Sequence, residues 1–150
     1  MTTPMPEPTA GVFDGRTHLL PVRVYYEDTD FTGLVYHANY LRYFERGRSD
    51  FLRLVSIGHA ELLDQTDPIA FVVTRMDIRF RAAARIDDAL VVSTAYQAIQ
   101  GPRLIIRQSL TREGQILTEA DVEAACIDLK GRPRRPPEVL RHALAPWLLP

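Results

Sequence analysis

A single cysteine, Cys126, occurs in 150 residues, so the chain can close no disulfide within itself and build no multi-cysteine zinc site. No apolar run approaches the roughly 18 residues of a spanning helix, which argues against an integral membrane segment. Neither sign of charge dominates: 18 Lys and Arg face 19 Asp and Glu, for a net charge of −1. That balance supplies no global field for nucleic acid or an anionic membrane. The opening stretch MTTPMPEPTAGVFDG has neither the basic start nor the apolar core of a secretory signal, and a cytoplasmic protein is expected. No internal repeat and no G-x-S-x-G elbow is present. A length of 150 residues suffices for one compact domain and not for two ordinary ones.

The remaining pattern divides the chain into a Pro- and Thr-containing lead-in over 1–17, expected to be disordered, a folded domain over 18–130, and a basic, Pro-rich tail over 131–150 ending in a short helix. LLPVRVYY alternates, placing Leu20, Val22, Val24 and Tyr26 on one strand face, with Pro21 near an edge. From Ala38 to Ile57 the period changes: Tyr40, Phe44, Gly47, Phe51, Leu54 and Val55 fall at helical steps on one stripe. The opposite face carries charges that could pair across a turn as Glu45 with Arg48 and Arg46 with Asp50. Gly47 inside this helix is expected to permit a close backbone approach to a sheet. A short helix, HAELLDQ, is expected next.

Beyond Pro68 strands recur at short spacing. IAFVVTRMDIRF puts Val72, Met76, Ile78 and Phe80 on one face; ALVVSTAYQAI and RLIIRQSLT follow through Gly101 and Pro102, and Glu113-Gly114 marks another hairpin. QILTEADVEAACIDL fits helical spacing as well as a strand face of Ile116, Ala120, Val122, Ala124 and Cys126; its position after a hairpin signal favours strand. The order strand, long helix, four strands predicts an α+β fold with one helix on an antiparallel sheet, whose open edges favour self-association.

The segment YYEDTDFTGLVYHANYLRYFER concentrates the chemistry. Glu27, Asp28 and Asp30 crowd a short turn between strand and helix. A calcium loop is one reading, since Asp28, Asp30 and Gly33 match D-x-D-x-x-G, but the twelfth position is Asn39 where a bidentate Glu is needed. A zinc site from Asp30 and His37 lacks further ligands. Acid-base or nucleophilic catalysis is another: with His37 as N-cap, the unpaired first-turn amides of the helix point at the acidic turn and could stabilise an oxyanion. A carboxylate on that turn could then attack the same carbonyl or activate water, and a thioester suits so weak a nucleophile better than an amide. A purely structural use of Asp28 and Asp30 in shaping the turn is the remaining reading.

VRVYYEDTDFTGLVYHANYLRYFERGRSDFL closely resembles the signature of the 4-hydroxybenzoyl-CoA thioesterase family of hotdog-fold proteins, and within it the bacterial acyl-CoA thioesterases associated with the Tol-Pal system. The similarity continues through AFVVTRMDIRFRAAARIDDAL to CIDLKGRPRRPPEVL. The resemblance implies a hotdog fold, a long helix wrapped by an antiparallel sheet, and the ambiguous sixth segment as strand. It implies a homodimer or homotetramer with active sites at subunit interfaces, and hydrolysis of an acyl-CoA, with acyl carrier protein as an alternative donor, without metal or organic cofactor. Asp30 then matches the catalytic carboxylate, and His37 the residue whose backbone amide polarises the thioester carbonyl, although a side-chain acid-base role for His37 stays open. Asp28 becomes structural, Gly33 keeps the turn near the substrate, and Tyr25, Tyr36, Asn39 and Tyr40 become pocket or support residues. Departures from the family pattern are the alanines of RAAAR, where Pro is common, Gly47 where Ala is common, and Phe31 beside the catalytic acid where small residues are common. Arg132, Arg134 and Arg135, or Arg81 and Arg85, could meet coenzyme A phosphates, or the first three could be a solvated linker; His18, His59 and His142 are expected at the surface or in packing. A hydratase or dehydratase using His37, and a non-catalytic acyl-carrier or envelope-complex binding module, are the rival functions.

Overall fold

A computed structural model describes residues 1–150. Strands β1 (Val12–Asp14), β2 (Thr17–Arg23), β3 (Ile69–Phe80), β4 (Ala89–Gln100), β5 (Arg103–Arg112) and β6 (Gln115–Asp128) form one sheet in the order β1-β2-β4-β5-β6-β3. Every pairing is antiparallel. Helix α1 (His37–Leu54) lies on the sheet, α2 (His59–Leu63) follows it, and α3 (Glu138–Leu144) closes the C-terminal end. The sheet curves around α1, and 26 buried apolar residues fill the space between them.

The buried residues of α1 are Asn39, Tyr40, Tyr43, Phe44, Gly47, Asp50, Phe51 and Leu52, at the three- and four-residue steps of a helix face. Gly47 stands where this face comes closest to β4 and β5: a Cβ there would meet Thr94 Oγ1 and Val92 Cγ1, each at 2.7 Å. The close approach read from the sequence is therefore real, and it is sterically enforced by β-branched side chains with little freedom to move.

Several expectations on facing are corrected. Tyr26 does not continue the Leu20, Val22, Val24 face, because the chain leaves β2 for a 3₁₀ turn at Tyr26–Asp28 and exposes it. Val72 leaves the Met76, Ile78, Phe80 face because a register shift against β6 between Val73 and Arg75 inverts the alternation. A second shift, between Leu110 and Thr111 of β5, puts Leu117 in the core and leaves Ile116 exposed. Pro21 sits where β2 has run past its last partner in β1, so its missing N–H costs no ladder bond.

The lead-in is also shorter than expected, since β1 lies within it and pairs with β2. Beneath β1 the fully buried His18 places Nε2 2.7 Å from Asp50 Oδ2, and the same oxygen accepts the Gly11 N–H at 2.8 Å. Phe13 covers the pair, meeting His18 and Phe51 edge-on and stacking on Trp147 at 4.0 Å between centroids. Asp50 is three residues beyond Gly47 and so on the buried face of α1, which is why the expected Arg46–Asp50 pair does not form. Glu45 accepts Ser49 Oγ instead of pairing with Arg48, whose Nη1 donates to Gln108 Oε1. The basic stretch of the tail stays largely solvent-exposed, with Arg132 paired to Asp128 and Arg134 to Asp67, and the short helix that follows, α3, sends Leu140 and Leu144 into the core.

Two substitutions test this packing. Gly47→Ala gains about 1 kcal/mol of helix propensity but overpacks the α1 seat by about 1–3 kcal/mol, so the urea midpoint falls with an unchanged m-value. Asp50→Ala leaves His18 and the Gly11 amide without their acceptor and costs about 3 kcal/mol in the same measurement.

Candidate active site

The site begins with the way the chain crosses from β2 to α1. In the 3₁₀ turn, Asp28 Oδ2 accepts the Tyr25 N–H at 2.8 Å. The Asp28 carbonyl then accepts twice, from Tyr36 N at 3.0 Å and from Asn39 Nδ2 at 2.8 Å. Asp28 is thereby consumed in shape, and Asn39, 9% exposed, is a strut between the turn and the helix.

Between the paired residues Thr29 and Val35 the chain makes a narrow loop, with Asp30 N donating to Leu34 O at 2.8 Å and Gly33 N to Asp30 O at 3.1 Å. Gly33 has φ of +79° with open space where a Cβ would stand, so backbone conformation is what demands glycine there. The loop from Arg81 to Asp88 buttresses it. Val35 N donates to Ala84 O, Leu34 bridges Arg85, and Ala84 N donates to the buried hydroxyl oxygen of Tyr40 at 3.0 Å. Tyr40 is thus a support for the turn from behind.

The Asp30 carboxylate is exposed to solvent at the crest of this loop. Its Oδ1 accepts both the Thr32 hydroxyl at 2.6 Å and the Thr32 N–H at 2.8 Å. Hydrogen bonds from the Thr32 side chain and then its backbone hold the carboxyl below the usual carboxylate range, so it is ionised at neutral pH. Thr32 was not singled out in the sequence, although a Thr two residues after an Asp in a turn carries that signal.

Helix α1 starts one residue earlier than expected. Tyr36, extended at φ −64° and ψ 133°, is the N-cap, and His37 is the first helical residue. Asn39 N closes the first turn on Tyr36 O at 2.8 Å, and no side chain caps the helix. The His37 and Ala38 amides thus have no intrahelical acceptor, at the positive end of an 18-residue helix. The His37 ring is exposed, tilted on Tyr36 at 4.5 Å and edge-on to Phe80 at 6.4 Å between centroids, and makes no side-chain hydrogen bond.

Of the other expected residues, Tyr25 and Tyr36 expose their rings beside the turn, as does Phe31. Cys126 takes no part, since it is buried in β6 and burial pushes its thiol up to about 11. Two open grooves flank the fold, one beside Tyr25, Asp28 and Arg46 and one beside α3, and neither is lined by Asp30 or His37. A single chain thus presents an exposed carboxylate and, nearby in the chain, a helix start whose first amides have no intrahelical acceptor.

Residues 24–144 match the thioesterase-like superfamily. The acyl-CoA thioesterase YbgC of Haemophilus influenzae is 44% identical over 109 residues, covering 73% of this chain and 79% of that one. A probable thioesterase from Bartonella henselae superposes with a TM-score of 0.79 at 41% identity, over 81% of this chain and 99% of that one. A 4-hydroxybenzoyl-CoA thioesterase superposes equally well, with a TM-score of 0.79 over 85% of this chain and 98% of that one, but at 17% identity it shows the fold alone. With its single long helix, its six-stranded antiparallel wrap and these likenesses, the chain belongs to the thioesterase-like superfamily and is a thioester hydrolase of the hotdog fold.

Proposed function

We propose that Asp30 is the carboxylate through which this chain hydrolyses acyl-CoA thioesters to a free acid and CoASH, with the His37 amide as an oxyanion donor. One observation carries the reading: the double hydrogen bond to the Asp28 carbonyl ties the acidic loop to the first turn of α1, so an ionised carboxylate and acceptor-free amides sit on two adjoining, mutually braced segments. Asp30 attacks the thioester carbonyl or takes a proton from the attacking water. The amides at the start of α1 meet the negative charge that grows on the carbonyl oxygen, and the helix dipole adds to them. A thiolate is a good leaving group, so no third side chain is required. His37 acts through its backbone, because its imidazole has no hydrogen-bonded partner to orient it.

The second wall of the site is a second copy of the chain. β3 ends the sheet with twelve residues of unpaired edge, and Val72, Val73 and Phe80 are exposed along it. Such an edge is covered when two copies pair, and a homodimer is the smallest assembly that does so; a homotetramer would stack two of them. Arg85 suits a coenzyme A phosphate, since it is bridged to Leu34 beside Asp30 and its guanidinium makes no salt bridge, only its backbone N–H going to Asp88, whereas Arg81 is paired with Glu119. Acyl carrier protein as donor would use the same carboxylate. No helix is long and apolar enough to cross a membrane, and a cytoplasmic enzyme fits this substrate.

Asp30→Asn, tested by thiol release from a panel of short, long and aromatic acyl-CoAs, loses at least about a hundredfold in kcat while remaining folded. Equal turnover in both proteins would remove Asp30 from its role, and binding without turnover in the wild type would favour a binding module. Asn39→Ala releases the turn from the helix and lowers kcat about tenfold or more through misplacement of the carboxylate, whereas thermal stability falls by only about 1 kcal/mol.

A further inference from the structure

The loop that holds Asp30 treats the two oxygens of its carboxylate differently. Oδ1 receives both donors of Thr32, the hydroxyl at 2.6 Å and the amide at 2.8 Å. Oδ2 receives no hydrogen bond from the chain and faces solvent. A carboxylate oxygen offers about two lone-pair sites, so Oδ1 is saturated. The backbone on either side is fixed as well, by Asp30 N to Leu34 O and Gly33 N to Asp30 O. The charged and titratable groups around it are otherwise engaged or at a remove. Asp28 is bonded to Tyr25 N, Arg85 lies across the Leu34 bridge, and Glu27, Tyr36 and His37 make no hydrogen bond to the carboxylate. Thr32 is the one side chain that bonds it.

We infer that Thr32 is the positioning residue of the site: its hydroxyl pins Oδ1 of Asp30, so that Oδ2 alone is presented to the substrate and the carboxylate stays ionised when acyl-CoA displaces water. The inference rests on Asp30 being the hydrolytic carboxylate. Two physical effects follow from one bond. Rotation of the carboxylate is stopped, which holds the reactive oxygen in a near-attack orientation. Desolvation by a bound acyl group favours the neutral acid, and a hydroxyl donating to the charged form opposes that change. Phe31, exposed on the same crest, makes the desolvation larger when substrate covers the loop.

The test uses Thr32→Val, which removes the hydroxyl and keeps the backbone donor, and Thr32→Ser, which restores the hydroxyl. Two readouts are taken in each protein: the pH dependence of kcat/KM for thiol release, and the titration of the Asp30 carboxyl carbon followed by ¹³C NMR, which needs no turnover. In Thr32→Val the NMR titration moves to higher pH and the acid limb of kcat/KM moves with it, so the deficit against wild type grows by about threefold or more from neutrality into the acid limb. Thr32→Ser returns both curves to the wild-type position, and thermal midpoints are alike in all three. Unchanged titration and unchanged acid limb in Thr32→Val overturn the inference. Activity retained in Asp30→Asn, with the NMR shift present in Thr32→Val, would instead overturn the catalytic reading of Asp30 while leaving the Thr32 contact demonstrated.

Discussion

One backbone carbonyl organises the end of the molecule that carries the acidic loop and the start of α1. The Asp28 carbonyl accepts the N–H of Tyr36 and the side-chain amide of Asn39, and so binds the acidic loop to the first turn of α1. That double acceptance is the direct tie between loop and helix, and Ala84 supplies a second, indirect one by bonding both Val35 N and the Tyr40 hydroxyl. Through these ties, the position of Asp30 is set by the same core that seats α1 on the sheet, because Tyr40, one residue beyond Asn39, reaches Ala84 N and anchors the facing loop. Precision at a solvent-exposed carboxylate is thus derived from buried packing several residues away.

The division of labour between neighbouring acids follows from the same geometry. Asp28 turns one carboxylate oxygen on Tyr25 N and shares its carbonyl between Tyr36 N and Asn39 Nδ2, so its bonds shape the turn. Asp30, two residues on, has one oxygen satisfied and one open. Two carboxylates of the same type, at nearly the same place, differ in where their bonds go: those of Asp28 tie the turn to Tyr25 and α1, and those of Asp30 stay within its own loop.

Much of this was legible in the sequence, for reasons that can be named. The period change at Ala38 marked α1 because amphipathic spacing persists over 18 residues, and Gly47 signalled a close approach because glycine is disfavoured inside a helix unless space requires it. The pairings β4-β5 and β5-β6 followed from hairpin signals, whereas no such signal placed β3 beside β6. The signature around Asp30 and His37 carried the family. What was hidden is equally specific. Bulges at Val73/Arg75 and at Leu110/Thr111 invert a period-two pattern without any residue that announces them. Asp50 was assigned outward because an isolated charge usually lies at the surface, and His18 was left between surface and packing, since the burial of both depends on a partner 32 residues away. β1 escaped because three residues are too few to show a period.

The stacking of Phe13 on Trp147 has a consequence of its own. Arg16 Nη1 donates to Leu148 O at 2.6 Å and Leu149 N to Tyr96 O at 3.1 Å, so segments more than 130 residues apart are sewn onto one edge of the core over the His18–Asp50 pair. The first and last structured segments therefore share a single seam, and neither can peel away without uncovering the other. In connectivity the fold is close to a closed ring, and a circularly permuted chain, joined across this seam and opened at the Glu113-Gly114 turn, would retrace the same sheet order with the acidic loop near its middle.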